Sequence, residues 1–444
     1  MARLRLPHPL PLLLAAVLIA AAATHILPAG QYDRREDPAT GRTLVVPGTY
    51  RAVEAAPVGA FAAFVAVPRG IVAAAEVVAV ILLVGGAWSV VDKAGTLARV
   101  VDALSRRLAR RRHLAIAALS IAFGIGGALE NMQEEIIPLI PVLLVLARGL
   151  GFDLITVVAM SVGAAMVGSA FSPLNPFQAG IALRLAEMPL LTGAGLRAVL
   201  LVFAMLLWIW WTVRHAGKAG GNPSTEPAAG NQTFEARHWV ILVLILAPFA
   251  AYVFGALQWD WGFNELSALF LVAGIAIGIV GKLGLGGSVE AYFDGMRSVV
   301  GAAVLVGVAR SISLVLEDGR VIDTILQGMV TPLAGAPRSL AAILMVPLHA
   351  LLHIPVPTVS GQAVLTMPVL VPLSDLLGIS RDATVLAFQT GAGLADMWTP
   401  TNGSLMAILL AAGVSFGKWF RFVMPMVLIL TLLGILGMVL SLST

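Results

Sequence analysis

The chain has 444 residues, of which 59% are hydrophobic and 12% charged, with a formal net charge of +4 and no cysteine. A soluble domain carries about a quarter charged residues, so this composition, with a mean hydropathy of +0.94, describes a membrane protein. The lack of cysteine excludes disulfides, thiol catalysis and Cys-ligated metals, and the small positive balance calls for no nucleic-acid partner, because the basic residues cluster in loops as membrane topology expects.

Taken in chain order, the apolar runs predict helices rather than the short alternating strands of a barrel. Met1 to Arg5 and the run behind it resemble a signal peptide, but the run is long and the chain beyond it polytopic, which favours a retained first helix at 9–27. A polar loop (28–57) and a second helix (about 70–91) follow, and then Lys93, Arg99, Arg106, Arg107, Arg110, Arg111 and Arg112 mark a cytoplasmic loop. The N-terminus is then cytoplasmic, in a bacterial inner membrane. The stretch 113–148 holds Gly124, Gly126, Gly127, Glu130, Asn131, Gln133, Glu134 and Glu135 at its centre. It is too polar there for a lipid-facing span and predicts a re-entrant hairpin.

A broken helix (154–187) crosses around Ser172–Pro176, and helix 194–213 returns with Trp208, Trp210 and Trp211 placed at the interface. Residues 215–237 are rich in breakers and read as a cytoplasmic linker between halves. Helices at 239–256, 264–281 and 297–316 follow, then a second hairpin (338–375), a second broken helix (382–414) around Thr399–Gly403, and a last helix (422–441). The expectation is an all-α polytopic membrane protein of about nine crossings and two re-entrant hairpins.

Two stretches are written on one template. Residues 141–175 overlay 368–402 without a gap, with Pro141/Pro368, Gly151/Gly378, Pro173/Pro400 and Asn175/Asn402 identical. In both, a Pro-x-Asn element interrupts an apolar run, where proline removes a donor and pushes the preceding residue out of helical geometry. The turns place the first hairpin's entry on one side and the second's on the other, so residues 1–214 and 238–444 read as inverted repeats. Interrupted segments at matching positions of two halves point to a transporter's binding site. One proline kink would be explained by a neighbouring helix, whereas two at the same repeat position, each with Ser or Thr and Asn, favour a site.

The breaks bring free N–H and C=O groups together with Ser172, Asn175, Thr399, Thr401 and Asn402, a set suited to a small anion or a dehydrated cation. Glu134 and Glu135, with Glu130 a turn before, cost about 2.5–3.5 kcal/mol each when ionised at mid-bilayer, and suit a cationic substrate group or a proton relay. Each glutamate has the alternative of capping the hairpin or pairing with a buried arginine. The repeat sets Gln362 opposite Glu135. Arg310, inside an apolar run, either holds a substrate carboxylate or pairs with a glutamate, while Arg184 is placed to snorkel.

His349 and His353, at i and i+4, match metal-ligand spacing, but the flanking Pro347 and Pro355 and the missing third ligand favour ordinary hydrogen-bonded histidines over a metalloenzyme. Residues 282–288 are glycine-rich without the Gly-Lys-Ser/Thr of a phosphate loop. Asn231–Thr233 matches a glycosylation sequon but falls in the linker and carries no weight.

Gly151-Phe152-Asp153, Asn175-Pro176-Phe177, Ser360-Gly361-Gln362-Ala363 with Leu365-Thr366-Met367-Pro368, Met132 to Glu135, and Pro400-Thr401 near Lys418-Trp419 carry a family resemblance. With Pro47-Gly48-Thr49-Tyr50 and Ala309-Arg310 it spans nearly the whole chain. The chain resembles the YfcC-like group of the C4-dicarboxylate anaerobic carrier (DcuC-like) family, in the ion transporter superfamily. The resemblance implies a dimerising scaffold domain and a transport domain of hairpins and broken helices that moves as an elevator. It implies a dicarboxylate or, in this group, a basic amino acid such as arginine exchanged for ornithine. Where the group has Gly-Asp-Gly-x-x-Asn this chain has Gly391-Ala392-Gly393-Leu394-Ala395-Asp396, where it has Pro-Ser-Gly-Ser this has Pro357-Thr358-Val359-Ser360, and Asn131 replaces a glycine.

The expected function is therefore secondary active transport, not catalysis, of a small carboxylate-containing solute. The paired glutamates favour an amino acid, moved by exchange or with H+ or Na+, over a C4-dicarboxylate. No cofactor is expected, and the partners are the solute, the bilayer and a second copy. Asn131, Glu134, Glu135, Asn175, Arg310, Ser360, Gly361, Gln362, Thr401 and Asn402 are the candidate substrate contacts. Ser172, Asn175, Thr399, Asn402 and Asp396 are the candidate ion-coupling residues.

Overall fold

The computed structural model describes residues 9–36, 43–100, 103, 111–219, 235–259 and 261–442. Met1–Arg5, Arg106, Arg107, Arg110, most of the linker and the 231–233 sequon lie outside the described residues. The chain is a multi-pass membrane protein: among the described residues, eight helices are long and apolar enough to cross a bilayer, and shorter apolar helices cover 60–73, 154–170, 236–252 and 338–352. Leu206, Val243, Ile275 and Leu432 are each more than half exposed, which is the surface expected against lipid rather than water.

The spine is the helix Gly284–Asp318, whose 35 residues reach about 50 Å at 1.5 Å each. It takes in residues 284–288 of the glycine-rich stretch as its first turns. It packs along Pro9–Ile26 and along the helices Ala60–Ala73 and Ala75–Lys93. These last two replace the single expected helix at 70–91, the chain breaking at Ala74 (φ −104°, ψ 18°). Small residues allow backbone contact here: a side chain on Gly70 would strike the Gly307 carbonyl, and one on Gly85 would strike Val299.

The loop 28–57 is not featureless. Gly30–Gln31 pairs antiparallel with Arg51–Ala52, and Arg34–Glu36 with Thr43–Val45. This small flap docks on a helix the sequence did not announce, Ile322–Ala334. Asp323, almost fully buried, accepts from the Tyr32 amide at 2.9 Å and from both Arg34 guanidinium nitrogens at 2.9 Å.

Each of the two stretches expected as a hairpin, and called so below, is two helices joined by an irregular tip. The first runs Arg112–Glu130, turns at Asn131 (φ 58°), passes a 3-10 turn Glu134–Leu139, and leaves as Ile140–Leu150. The second runs Arg338–Leu352 and Val359–Leu376. Gly151 (φ 72°) and Gly378 (φ 69°) end the two departing arms in the left-handed conformation that glycine adopts without a Cβ penalty. Asp153 and Ser380 then cap the next helices, accepting from the amides of Thr156 and Ala383.

The broken helices are Leu154–Ala170 resuming at Pro176, and Arg381–Ala395 resuming as Gly403–Ala411. The first carries a π turn at Ala159–Gly163, where the Trp208 indole donates to the Ala159 carbonyl at 2.9 Å. Trp208 is thus fully buried inside the protein, while Trp210 is half exposed. Trp419 donates to the Met397 carbonyl at 2.7 Å, at the second break itself.

Candidate functional site

The Pro-Leu-Asn element holds the first break to the first hairpin. Ser172 Oγ donates to the Ala128 carbonyl at 2.5 Å and accepts the amides of Leu174 and Asn175. Asn175 Oδ1 caps the resumed helix through the amides of Phe177 and Gln178, and its Nδ2 donates to the Gly127 carbonyl at 2.9 Å. Gln178 reaches back to Asn131 Oδ1 at 2.7 Å. Interruption by Pro173 frees these backbone groups, and Ser172 and Asn175 satisfy them, as buried polar groups require. Both side chains are therefore engaged in the fold at this seam.

The second break is organised differently, around Asp396. Its Oδ1 lies 2.8 Å from His353 Nε2 and 2.6 Å from Asn402 Nδ2, and its Oδ2 accepts from Gln133 Nε2 at 2.8 Å. Three chain segments thus converge on one carboxylate that is 2% exposed: the first hairpin's tip, the second hairpin and the second break. His353 Nδ1 continues to Gln362 Oε1 at 2.8 Å, and Gln362 Nε2 donates to the His349 carbonyl at 2.8 Å and faces His349 Nδ1 at 3.2 Å. Gln389 ties the two breaks together, donating to the Ser172 carbonyl at 3.0 Å. Thr399 bonds back to the Ala395 carbonyl at 2.9 Å, and Thr401 Oγ1 is buried without a partner among the described residues.

The three glutamates part company. Glu134 accepts from Ser404 Oγ at 2.8 Å, beside the start of helix 403–411, where an anion is favoured by the helix dipole. Glu135 is buried and folds back on the Gln133 amide at 3.1 Å. Glu130 keeps one buried carboxylate oxygen without a partner among the described residues.

The chain matches the family described as C4-dicarboxylate anaerobic carrier (DcuC) over residues 6–443. It belongs to that family. A relative in Escherichia coli, named "Putative basic amino acid antiporter YfcC", is 32% identical over 372 residues, covering 78% of this chain and 74% of the relative. An uncharacterized protein of Haemophilus influenzae is 29% identical over 419 residues, covering 90% and 82%. Among solved structures, the Alcanivorax borkumensis YdaH transporter matches with TM-score 0.46 and 19% identity over 98% of both chains. Neisseria gonorrhoeae MtrF, described in a work on antimetabolite efflux pumps, matches with TM-score 0.46 and 16% identity over 98% of this chain and 94% of its own.

In this DcuC-family chain Arg310 does not meet Glu134 or Glu135. It lines an open cavity of about 540 Å³ with Arg34, Arg320, Ser313, Thr358 and Gly361, and its side chain is 37% exposed. Its nearest acid is Glu317 at 3.9 Å, at the limit of an ion pair. Gly361 faces this cavity while the next residue, Gln362, is fully buried in the Asp396 network. The second hairpin's tip is therefore the wall between cavity and polar centre, and Ser360 sits on it half-buried. Arg184 is exposed at the end of its half-helix.

Sequence reasoning does not single out Gln133, Gln389 or Gln178 as site residues, and it reads His353 as an ordinary buried histidine. The signal for Gln133 is its place between Asn131 and Glu134 in the polar tip. Among the described residues no group of three or more His, Asp or Glu is placed to hold a metal ion, and both His353 nitrogens are already engaged.

Proposed function

We propose that this transporter is a secondary active carrier of a small carboxylate-containing solute, a basic amino acid, moved by exchange or with a coupling ion. The observation that carries the reading is the pairing of an acidic hairpin tip with an arginine-lined cavity. Glu130, Glu134 and Glu135 gather at the first hairpin's tip, with Glu134 near Asp396, and loosely held Arg310 lines the cavity that Gly361 of the second hairpin also borders. A solute with a carboxylate at one end and an ammonium or guanidinium at the other matches that order of charges. The name of the Escherichia coli relative points the same way.

A second reading, a C4-dicarboxylate, is favoured by Arg34, Arg310 and Arg320 all bordering the cavity and by the family's name. Purified protein in proteoliposomes, loaded with unlabelled solute and offered labelled arginine or labelled succinate, separates the two. Exchange of arginine without succinate supports the first reading, and succinate flux without arginine flux replaces it with the second.

A further inference from the structure

The structure assigns a proton-binding site to the His353–Asp396 pair, and we propose that its single shared proton leaves when the solute's cationic group arrives. The inference rests on the transport reading above and names its coupling ion. The presence of the proton follows from donor and acceptor bookkeeping, and its release from burial and charge.

The His349 carbonyl can only accept, so the group of Gln362 facing it at 2.8 Å is the amide nitrogen, and Oε1 faces His353. An oxygen there accepts, so His353 Nδ1 carries a proton. Networks of this kind fix tautomers that coordinates alone do not show. At the other end of the ring, Nε2 lies 2.8 Å from Asp396 Oδ1, a distance that requires one proton between them. It belongs either to an imidazolium facing a carboxylate or to a neutral imidazole facing a carboxylic acid. Both descriptions hold one removable proton and no net charge.

Removing it leaves two lone pairs facing each other and one negative charge in a site that is 2% exposed, a state that burial opposes. Either the second hairpin shifts away from Asp396 or a cation comes to the carboxylate. The other titratable groups around the pair are His349 on the same hairpin and the acidic tip of the first, from which Glu134 reaches Asp396 electrostatically. These acids add negative potential and so favour a proton or a cationic solute over an empty site. One proton and one cationic solute then compete for the same negative locus, which is the physical basis of antiport.

The test has two arms. In purified full-length protein labelled with 15N-histidine, with the His353 signals assigned by loss in His353→Gln, the Nε2 resonance is expected to move with pH. In Asp396→Asn it is expected to stay at the position of a neutral Nδ1–H ring. A wild-type Nε2 signal that holds still from acid to alkali, or that titrates equally in Asp396→Asn, overturns the assignment. In proteoliposomes an inside-acid gradient is expected to drive accumulation of labelled arginine, with a rate changing about tenfold per pH unit on the titrating limb. His353→Gln is expected to flatten that profile. Accumulation driven by an inside-alkaline gradient instead overturns the antiport sense. Absence of any arginine flux removes the solute assigned above, while the proton site still stands or falls by the histidine spectrum.

Discussion

Gln133 Nε2 donates to Asp396 Oδ2 at 2.8 Å, joining the tip of the first hairpin to the break of the second broken helix. Its Oε1 is in turn met by Asn402 Nδ2 at 3.2 Å. Gln133→Ala leaves a buried carboxylate oxygen without that donor, at a cost of about 1–3 kcal/mol. Gln133→Glu is expected to do worse at neutral pH, because it sets a second carboxylate against the first. It is expected to recover on acidification, when a protonated Glu donates again. Thermal unfolding of the detergent-solubilised variants at several pH values checks this, and a Gln133→Glu protein as stable as wild type at neutral pH contradicts it.

Arg310 is predicted to act on solute rather than on stability. Its only close acid among the described residues lies 3.9 Å away with both side chains more than a third exposed, a pair worth about 0–1 kcal/mol. Arg310→Gln is therefore expected to leave the unfolding temperature nearly unchanged. The half-saturation concentration for the transported carboxylate is expected to rise about tenfold or more, the worth of one charge-assisted contact. Arg310→Lys keeps the charge but loses the fork and is expected to fall between. Unaltered saturation kinetics in Arg310→Gln would remove this residue from the solute path.

Backbone contact sets a third test. A Cβ at Gly168 would fall on the Gly124 carbonyl, and one at Gly391 on the carbonyl of Val346, so neither position has room for a side chain. Gly168→Val and Gly391→Val are each expected to cost about 1–3 kcal/mol or more through overpacking, seen as lower unfolding temperature and poorer monodispersity. Gly328, inside a helix with nothing within 4 Å of where a methyl group would stand, is the control. Its change to alanine is expected to stabilise by about 0.5–1 kcal/mol.

In the turn before helix 154–170, Asp153 caps that helix through Thr156 and meets His215 Nε2 at 3.0 Å. Burial raises its pKa, but the hydrogen bonds from Thr156 and His215 outweigh burial and hold it below the ordinary carboxylate value. A folded-state pKa below the unfolded one contributes stability that is present above the unfolded value and lost as pH falls through the folded one. Asp153→Asn keeps the cap and is expected to lose this acid-side dependence, whereas Asp153→Ala is expected to cost about 1 kcal/mol at neutral pH as well. Unfolding temperature followed from neutral to strongly acidic pH distinguishes the two.

Much of this architecture is written in punctuation that a single sequence displays. Pro173, Asn175, Pro400 and Asn402 mark the breaks because proline and Asx caps act locally, whatever surrounds them. The glycines Gly151 and Gly378 mark helix ends for the same reason. What escaped is what local chemistry does not encode. Helix 322–334 is short and amphipathic between a polar turn and a proline, so hydropathy averages over it. The split at Ala74 follows from packing on the spine, and the burial of Trp208 follows from the π turn opposite it. Asp396 stood out as a departure from the family's pattern and Asn402 as part of a break, yet Gln133 and His353 did not, since they reach Asp396 from tips with no periodicity to fix their direction. The acidic tip was legible as a group, while the division of its three carboxylates among Ser404, the Gln133 amide and an unpartnered oxygen needed coordinates.

Where helix 112–130 meets helix 154–170, bare peptide lies on bare peptide: Gly124 against Gly168 and Gly127 against Ala165, with the Gly127 and Ala128 carbonyls clasped by Asn175 and Ser172. Two faces that mesh without intervening side chains have no rotamers to exchange, so backbone alone sets their spacing and the seam admits no added bulk at Gly127 or Gly168.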